Sequence, residues 1–373
     1  LNLMLPIRGP KISIITASYN SESTIKQTIQ SVSEQTYSNI EYIVIDGGSI
    51  DRTKDILRAN RSSISHLVSE PDKGIYDAFN KGVSKSTGDI IYFLNSDDSL
   101  YDQYVIEDIA RFFVEHPEAD FLCAKVLAKE FNSDFSYKMG KYMTLDDFKS
   151  GQTYPHQGFF AKKKLFERYK GFNLKYKLAA DLDFMLKCFE DNNNSFHFLD
   201  RIVALFRLGG ASNGSSGRQD TINEANFILR EHFGVEDQLT AIAPKEELQG
   251  LYKSWLEKLL LNKRGISSVL KDLNVNRIAI FGAMKTGLYL LEDCLQFGVE
   301  VLTFLDNNQA MHNEFTRGVS IQSPDWLRSH HSQIDGVVIS VEGPVDHAIR
   351  NQIFSIAGSE IKVFTWKELI LLL

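Results

Sequence analysis

The chain has 373 residues, more than one hydrophobic core usually organises, so two domains are expected. Apolar residues at 43% and charged residues at 24% are the balance of an ordinary folded protein and argue against a disordered or fibrous one. A net charge of -7 argues against a protein built to grip nucleic acid, because neutralising phosphates needs a clustered excess of Lys and Arg.

No apolar run approaches the roughly 18–20 residues that span a bilayer, and residues 1–10 lack the charged-then-apolar order of a secretory signal. A cytoplasmic chain is expected. Cys123, Cys188 and Cys294 are odd in number and far apart, which predicts neither a disulfide framework nor a CxxC metal site.

From Lys11 onward short β-rich runs alternate with amphipathic stretches, the pattern of β-α-β units in a mostly parallel sheet. Strands are predicted at 12–16, 40–45, 66–69 and 90–94. Between them Ile25, Ile29 and Val32, then Ile75, Ala78, Phe79 and Val83, keep helical spacing. After Phe121 the pattern becomes irregular until an amphipathic helix at 221–232. Residues 236–274 favour helix and carry no strand signal, which predicts a helical connector. A second series of strands follows at 277–281, 299–305, 336–340 and 361–365. The expected domains are therefore 11–234, a connector at 235–274, and 275–373. The short apolar run at 369–373 reads as a helix end packed on its own domain.

In open parallel sheets ligands bind beyond the C-terminal ends of the strands. The first strand leads into Thr16-Ala17-Ser18-Tyr19-Asn20, the second into Asp46-Gly47-Gly48-Ser49, the third into Glu70-Pro71-Asp72-Lys73-Gly74, and the fourth into Asn95-Ser96-Asp97-Asp98. Singly, each could be a cap or a turn; together they would line one crevice. Asp97 and Asp98 are adjacent carboxylates that repel unless a cation sits between them, and oxygen ligands favour Mg²⁺ or Mn²⁺.

The run from Ile12 to Asp98 closely resembles the nucleotide-sugar half of the inverting family 2 glycosyltransferases of the bacterial surface-polysaccharide type. The motifs carrying the resemblance are S-Y-N, Q-T-Y-S-N-I-E-Y-I-V-I-D-G-G-S, E-P-D-K-G-I-Y-D-A-F-N-K-G and T-G-D-I-I-Y-F-L-N-S-D-D. The resemblance implies an α/β fold of GT-A type, a mixed, mostly parallel sheet with helices on both faces, and transfer of a sugar from a nucleoside-diphosphate donor, expected to be UDP-linked. By it, Tyr19 would lie against the base, Asp46 would hold base or ribose, and Asp72 and Asn80 would line the donor pocket. Asp97 and Asp98 would form the Mn²⁺ or Mg²⁺ and diphosphate site. Asn95 stands where the first acid of an Asp-x-Asp often stands, and Asp46-Gly47 where many relatives have two carboxylates.

An inverting transfer also needs a base to take the acceptor proton. Ala180-Asp181-Leu182-Asp183 resembles the segment that supplies it, with Asp181 the expected base and Asp183 the alternative. Tyr154-Pro155-His156-Gln157-Gly158 resembles the family's H-Q segment near donor sugar or acceptor, while His197, among apolar neighbours, reads as structural. Leu208-Gly209-Gly210-Ala211-Ser212 resembles a loop that closes the site. Relatives with this wording often build capsule, exopolysaccharide or lipopolysaccharide repeats on a lipid carrier. That implies a saccharide or lipid-linked acceptor and peripheral contact with the inner face of the membrane.

The C-terminal series resembles the small Rossmann-like domains beside sugar-modifying enzymes. Its Gly282-Ala283-Met284-Lys285-Thr286-Gly287 loop lacks the full G-x-G-x-x-G spacing; Gly282, Gly287 and Asp306 would be its nucleotide contacts if it has any. Two readings compete with glycosyl transfer: a nucleotide-dependent oxidoreductase using this second sheet, and a non-catalytic sugar-binding scaffold.

Overall fold

The computed structural model describes residues 9–130, 136–208, 217–235, 245–343 and 345–373. The chain divides into two compact units, Leu1–Leu239 and Thr240–Leu373.

The first unit is built on a sheet of β1 (Ile12–Ser18), β2 (Ile40–Asp46), β3 (His66–Ser69), β4 (Ile90–Phe93), β5 (Ser99–Leu100), β6 (Phe121–Lys129), β7 (Ser136–Met139), β8 (Phe159–Lys162) and β9 (Phe196–Arg207). The order is β3-β2-β1-β4-β8-β6-β9-β5, with β7 beside β6. From β3 to β4 every pairing is parallel. Beyond β4 the sheet turns mixed: β8 runs antiparallel to β4 and β6, and β9 runs parallel to β6.

Strand alternation divides the apolar residues between two faces. Ile15, Ile43, Ile45, Ile91 and Phe93 join one buried cluster, whereas Ile12, Ile14, Tyr42, Val44, Ile90 and Tyr92 join another. Helices α1 (Ile25–Ser33), α2 (Thr53–Ala59) and α4 (Val105–Glu115) feed the second cluster. Helix α3 (Ile75–Lys85), with α5 (Leu145–Lys149), α6 (Lys163–Tyr169), α7 (Ala180–Glu190) and α8 (Gly217–Phe233), feeds the first. On α3, Gly82 lies so close to Ile15 that a β-carbon there would collide with its side chain. The glycine lets the helix settle onto β1.

The second unit opens with α9 (Lys245–Leu261) and α10 (Ile266–Asp272), where the sequence suggests a connector. Trp255 of α9 donates to Asp293 at 2.6 Å, and the Tyr252 ring lies 4.7 Å from that of Trp366, so α9 packs within this unit. Its sheet consists of β10 (Arg277–Phe281), β11 (Glu300–Leu305), β12 (Phe315–Thr316), β13 (Val319–Gln322), β14 (Gly336–Ile339) and β15 (Lys362–Thr365). The order is β12-β13-β11-β10-β14-β15, and only β12 is antiparallel to its neighbour. Helices α11 (Lys285–Phe297), α12 (Leu327–His330), α13 (Asp346–Ala357) and α14 (Trp366–Leu371) complete the unit. Among the described residues no helix is long and apolar enough to cross a membrane.

Candidate active site

The four loops that follow β1 to β4 are tied to one another at the C-terminal edge of the parallel half. Register places Ser18 opposite Asp46 and Asp46 opposite Ser69. Asp46 is fully buried and accepts from Ser18 Oγ at 3.3 Å, Ser69 Oγ at 2.6 Å, Ser49 N at 3.1 Å and the Ser49 hydroxyl. The sequence suggests a base or ribose contact for this acid. In the structure its carboxylate holds three strand ends together, and direct contact with a nucleotide requires that set of bonds to open.

The Asn20 backbone N–H donates to Ser49 Oγ at 2.9 Å, its side chain accepts from Ile50 N at 3.0 Å, and Ser21 Oγ lies 2.8 Å from Ser96 Oγ. These bonds bring the Tyr19 and Asp97 loops side by side. Tyr19 itself is 61% exposed, a large aromatic ring left at the rim with nothing of its own to cover. Asp72 Oδ1 accepts from Gly74 N at 2.9 Å, and its carboxyl group lies against Gly47 where a β-carbon would intrude.

Asn80 is placed differently from the expectation. Its Nδ2 donates to the Phe172 carbonyl at 2.9 Å and its Oδ1 accepts from Phe172 N at 2.8 Å. The amide thus pairs with the Phe172 backbone at the turn that holds Gly171, and Asn80 shapes the wall there.

Asp98 is buried; Oδ1 accepts from Arg207 N at 3.0 Å and Oδ2 from Gln157 Nε2 at 2.8 Å. Burial, then the charge of Asp97, raise its pKa above the ordinary carboxylate range. Burial raises that of Asp97 as well, against the opposing pull of Arg207 and His156. Beside them Asn95 Oδ1 is buried and has no hydrogen-bond partner. Two carboxylates with raised pKa values and, shortly before them in the same loop, an unpaired carbonyl oxygen are the oxygen donors that a hard divalent cation takes.

Asp181, in the first turn of α7, accepts from Tyr76 Oη at 2.8 Å and from Leu182 N at 3.0 Å through Oδ1, while Oδ2 faces His156 Nδ1 at 3.2 Å. Burial acts to raise its pKa, but His156 and Tyr76 outweigh it and the net shift is downward. For His156 burial acts to lower the pKa, and Asp181, Asp98 and Asp97 together raise it above the ordinary value. His156 Nε2 is buried and unpartnered. His156 and Asp181 line a small cavity otherwise made of apolar side chains, among them Phe79, Phe93, Phe172 and Phe184. Consecutive residues thus connect the two halves of the site, His156 on the Asp181 side and Gln157 on the Asp98 side.

Asp183 faces elsewhere. Its carboxylate is met by His232 Nε2 at 3.0 Å and Lys187 Nζ at 2.6 Å. It binds α7 to α8 and is removed from the reacting groups. Four contributors escaped the sequence reading: Tyr76, Asn95 as an unpaired acceptor, Arg207, and Glu224 of α8. Glu224 accepts from the backbone N–H groups of Lys177 at 2.8 Å, Leu178 at 2.6 Å and Ala179 at 2.7 Å, which fixes the entry to α7. Tyr76 and Asn95 lay in motifs already singled out; Arg207 and Glu224 did not. The glycines at 209–210, with Ala211 and Ser212, lie outside the described residues.

A model of "Glycosyl transferase family 2" matches residues 13–176. A PGL/p-HBAD biosynthesis glycosyltransferase of Mycobacterium bovis is 31% identical over 226 residues, which cover 60% of this chain and 84% of that relative. This chain belongs to glycosyl transferase family 2. It is accordingly a glycosyltransferase, and the acids just described lie in or close behind its family segment. A putative glycosyltransferase of Bacillus subtilis, EpsH, is 29% identical over 52% of this chain and 58% of its own length. Similar solved structures include Staphylococcus aureus TarS (residues 1–349) at TM-score 0.46 and 19% identity, covering 69% of this chain and 74% of that one. Another is the Pyrobaculum calidifontis mannosyltransferase PcManGT at TM-score 0.48 and 15% identity, covering 78% and 81%.

The second unit's loop is closed on itself. Asp306 Oδ2 accepts from Ala283 N at 2.9 Å and Oδ1 from Asn308 N at 2.8 Å. Gly282 has φ of +108°, and a β-carbon at Gly287 would strike the Gly282 carbonyl. Both glycines serve the packing of this turn, and Asp306 organises it with one hydrogen bond to each carboxylate oxygen.

Proposed function

We propose that the chain transfers a sugar from a nucleoside-diphosphate donor, UDP-linked, to a saccharide or lipid-linked saccharide, with inversion at the anomeric carbon, during synthesis of a bacterial surface polysaccharide or glycolipid. The observation that carries this reading is the His156–Gln157 link, which sets a polarised imidazole beside the acid pair. UDP is the nucleotide, and a saccharide or lipid-linked saccharide the acceptor, that the sequence resemblance implies. An acceptor on a lipid carrier would bring the chain to the inner face of the membrane.

Asp97, Asp98 and Asn95 Oδ1 would hold Mn²⁺ or Mg²⁺. Such an ion supplies positive charge against the departing nucleoside diphosphate. Arg207 N and Gln157 Nε2 keep the Asp98 carboxylate oriented, and the Tyr19 ring offers a face for the base. Asp181 Oδ2 holds His156 at Nδ1, so Nε2 is the atom open to the acceptor hydroxyl. As that oxygen bonds to the anomeric carbon and the bond to phosphate breaks, the Asp181–His156 pair takes the proton, with Asp181 stabilising the imidazolium. Phe79, Phe93 and Phe172 keep the pair out of water.

The test is thermal-shift screening of the purified chain against nucleotide sugars, with and without Mn²⁺, followed by turnover with the sugar that binds. Stabilisation by one nucleotide sugar that depends on Mn²⁺ supports the reading. Stabilisation by a nicotinamide cofactor and by no nucleotide sugar would refute it.

A further inference from the structure

His116, Glu118 and His197 gather at the end of the first unit's sheet remote from the reacting groups. His197 is the second residue of β9, and Arg207, which touches Asp98, is the last. The stretch of strand from one to the other is roughly 33 Å long.

The local fold explains the cluster. His116 is the C-cap of α4, and the turn closed by Ala119 N on the His116 carbonyl at 3.0 Å swings Glu118 back toward it. His197 enters from β9, opposite Leu122 of β6. The ring of Phe112 lies 4.6 Å from that of His116 and 5.5 Å from that of His197, and the two imidazoles are 5.2 Å apart. Packing on a shared aromatic ring therefore fixes both.

Glu118 Oε1 is 3.3 Å from His116 Nδ1 and 3.5 Å from His197 Nε2, and the three ligand atoms all lie within 4.8 Å of one another. Good N–H···O bonds are about 2.9 Å long. A tetrahedral ion with bonds of about 2.0–2.1 Å sets its ligand atoms roughly 3.3 Å apart. The spacing at Glu118 suits a shared ion better than a pair of hydrogen bonds. Ser195 Oγ, 3.2 Å from His197 Nε2, adds an oxygen beside the same point. Lys162 also acts on Glu118, but its ammonium is engaged by the Pro117 carbonyl at 2.7 Å and by Asp120 at 3.8 Å.

We propose that His116 Nδ1, Glu118 Oε1 and His197 Nε2 form a second divalent-metal site, selective for Zn²⁺, that fastens the end of α4 to the start of β9. Two imidazoles and one carboxylate suit zinc, whereas the all-oxygen set at Asp97 and Asp98 suits magnesium or manganese. The two sites therefore differ in ion as well as in place, and this one does no chemistry on the sugar.

Equilibrium dialysis of chelator-treated full chain against Zn²⁺, with Mn²⁺ in excess, tests it. The expected result is one more zinc per chain in the parent than in His116→Ala or His197→Ala. Glu118→Gln should bind that ion at least roughly tenfold more weakly. The Asp97→Asn/Asp98→Asn double variant should retain it, and zinc should raise the thermal midpoint of the parent but not of the histidine variants. Equal zinc stoichiometry in parent and both histidine variants, or loss of that zinc in the Asp97→Asn/Asp98→Asn double variant, would overturn the proposal.

Discussion

Replacing Glu224 by Gln removes the charge that organises the backbone ahead of Asp181. The carboxylate takes three successive N–H groups, from Lys177, Leu178 and Ala179, within 2.8 Å. A Gln side chain has one acceptor oxygen in place of two, and its NH₂ group is turned against a backbone donor. Hydrogen bonds to a charged group contribute about 1.5–3 kcal/mol each, so the loss of one bond with weakening of the others costs about 2–4 kcal/mol. Part of that cost appears as lower stability. The rest frees the start of α7, and a misplacement of about 1 Å in a reacting group can cost roughly a hundredfold in rate. Steady-state kinetics should show kcat about a hundredfold lower, with the affinity for Mn²⁺ and nucleotide unchanged, because none of the acid pair's partners is touched. A kcat within twofold of the parent would refute the positioning role, even if the unfolding midpoint fell.

Asp181→Asn should lower kcat by about 10²–10⁴-fold, the range of general-base effects. It should also move the acid limb of the rate profile. In the parent the neutral imidazole is required, and Asp181 is the foremost of the groups that raise its pKa against burial; without that carboxylate the pKa falls and the limb moves to lower pH. An unmoved limb would contradict the pairing of His156 with Asp181. Asp183→Asn should cost about 3 kcal/mol, as expected for breaking a buried pair, with kcat nearly unchanged in protein that remains folded. Burial acts to lower the pKa of His232, but Asp183 and Glu190 raise it, so that contribution is full below about pH 6.5 and is lost as pH rises through the folded value. Chemical denaturation at several pH values should show this slope in the parent and a weaker one in the variant.

The parallel half of the first sheet was legible because each of its strands repeats a local signal, an apolar run followed by a helix of regular spacing. The mixed half was not, because β6 pairs with β9 across some 75 residues, as Phe121 with Phe196, and no local pattern records such a pairing. The 12-residue β9 carries Asp200 and Arg201 amid its apolar residues and reads as irregular. Strands β12 and β13 are too short to show alternation. At the site, sequence motifs brought forward the right neighbourhood but could not show how each polar group is spent. Asn80 and Asp46 sit in the expected elements, yet Asn80 is bonded to the Phe172 backbone and Asp46 to Ser18, Ser49 and Ser69. Conversely Glu224 lies in an unremarkable helix, and only the third dimension brings it to residues 177–179.

The account rests most heavily on the acid pair at the end of β4. Calorimetric titration of UDP into the chain with Mn²⁺ present, repeated after Asp98→Asn, addresses it directly. Asn keeps the size and, with its oxygen toward Arg207 N and the Gln157 amide flipped to accept from its NH₂, both contacts, but removes the charge, so metal-dependent UDP binding should fall at least tenfold while the fold survives by circular dichroism. Equal UDP affinity in parent and variant, or affinity indifferent to Mn²⁺ in the parent, would contradict it.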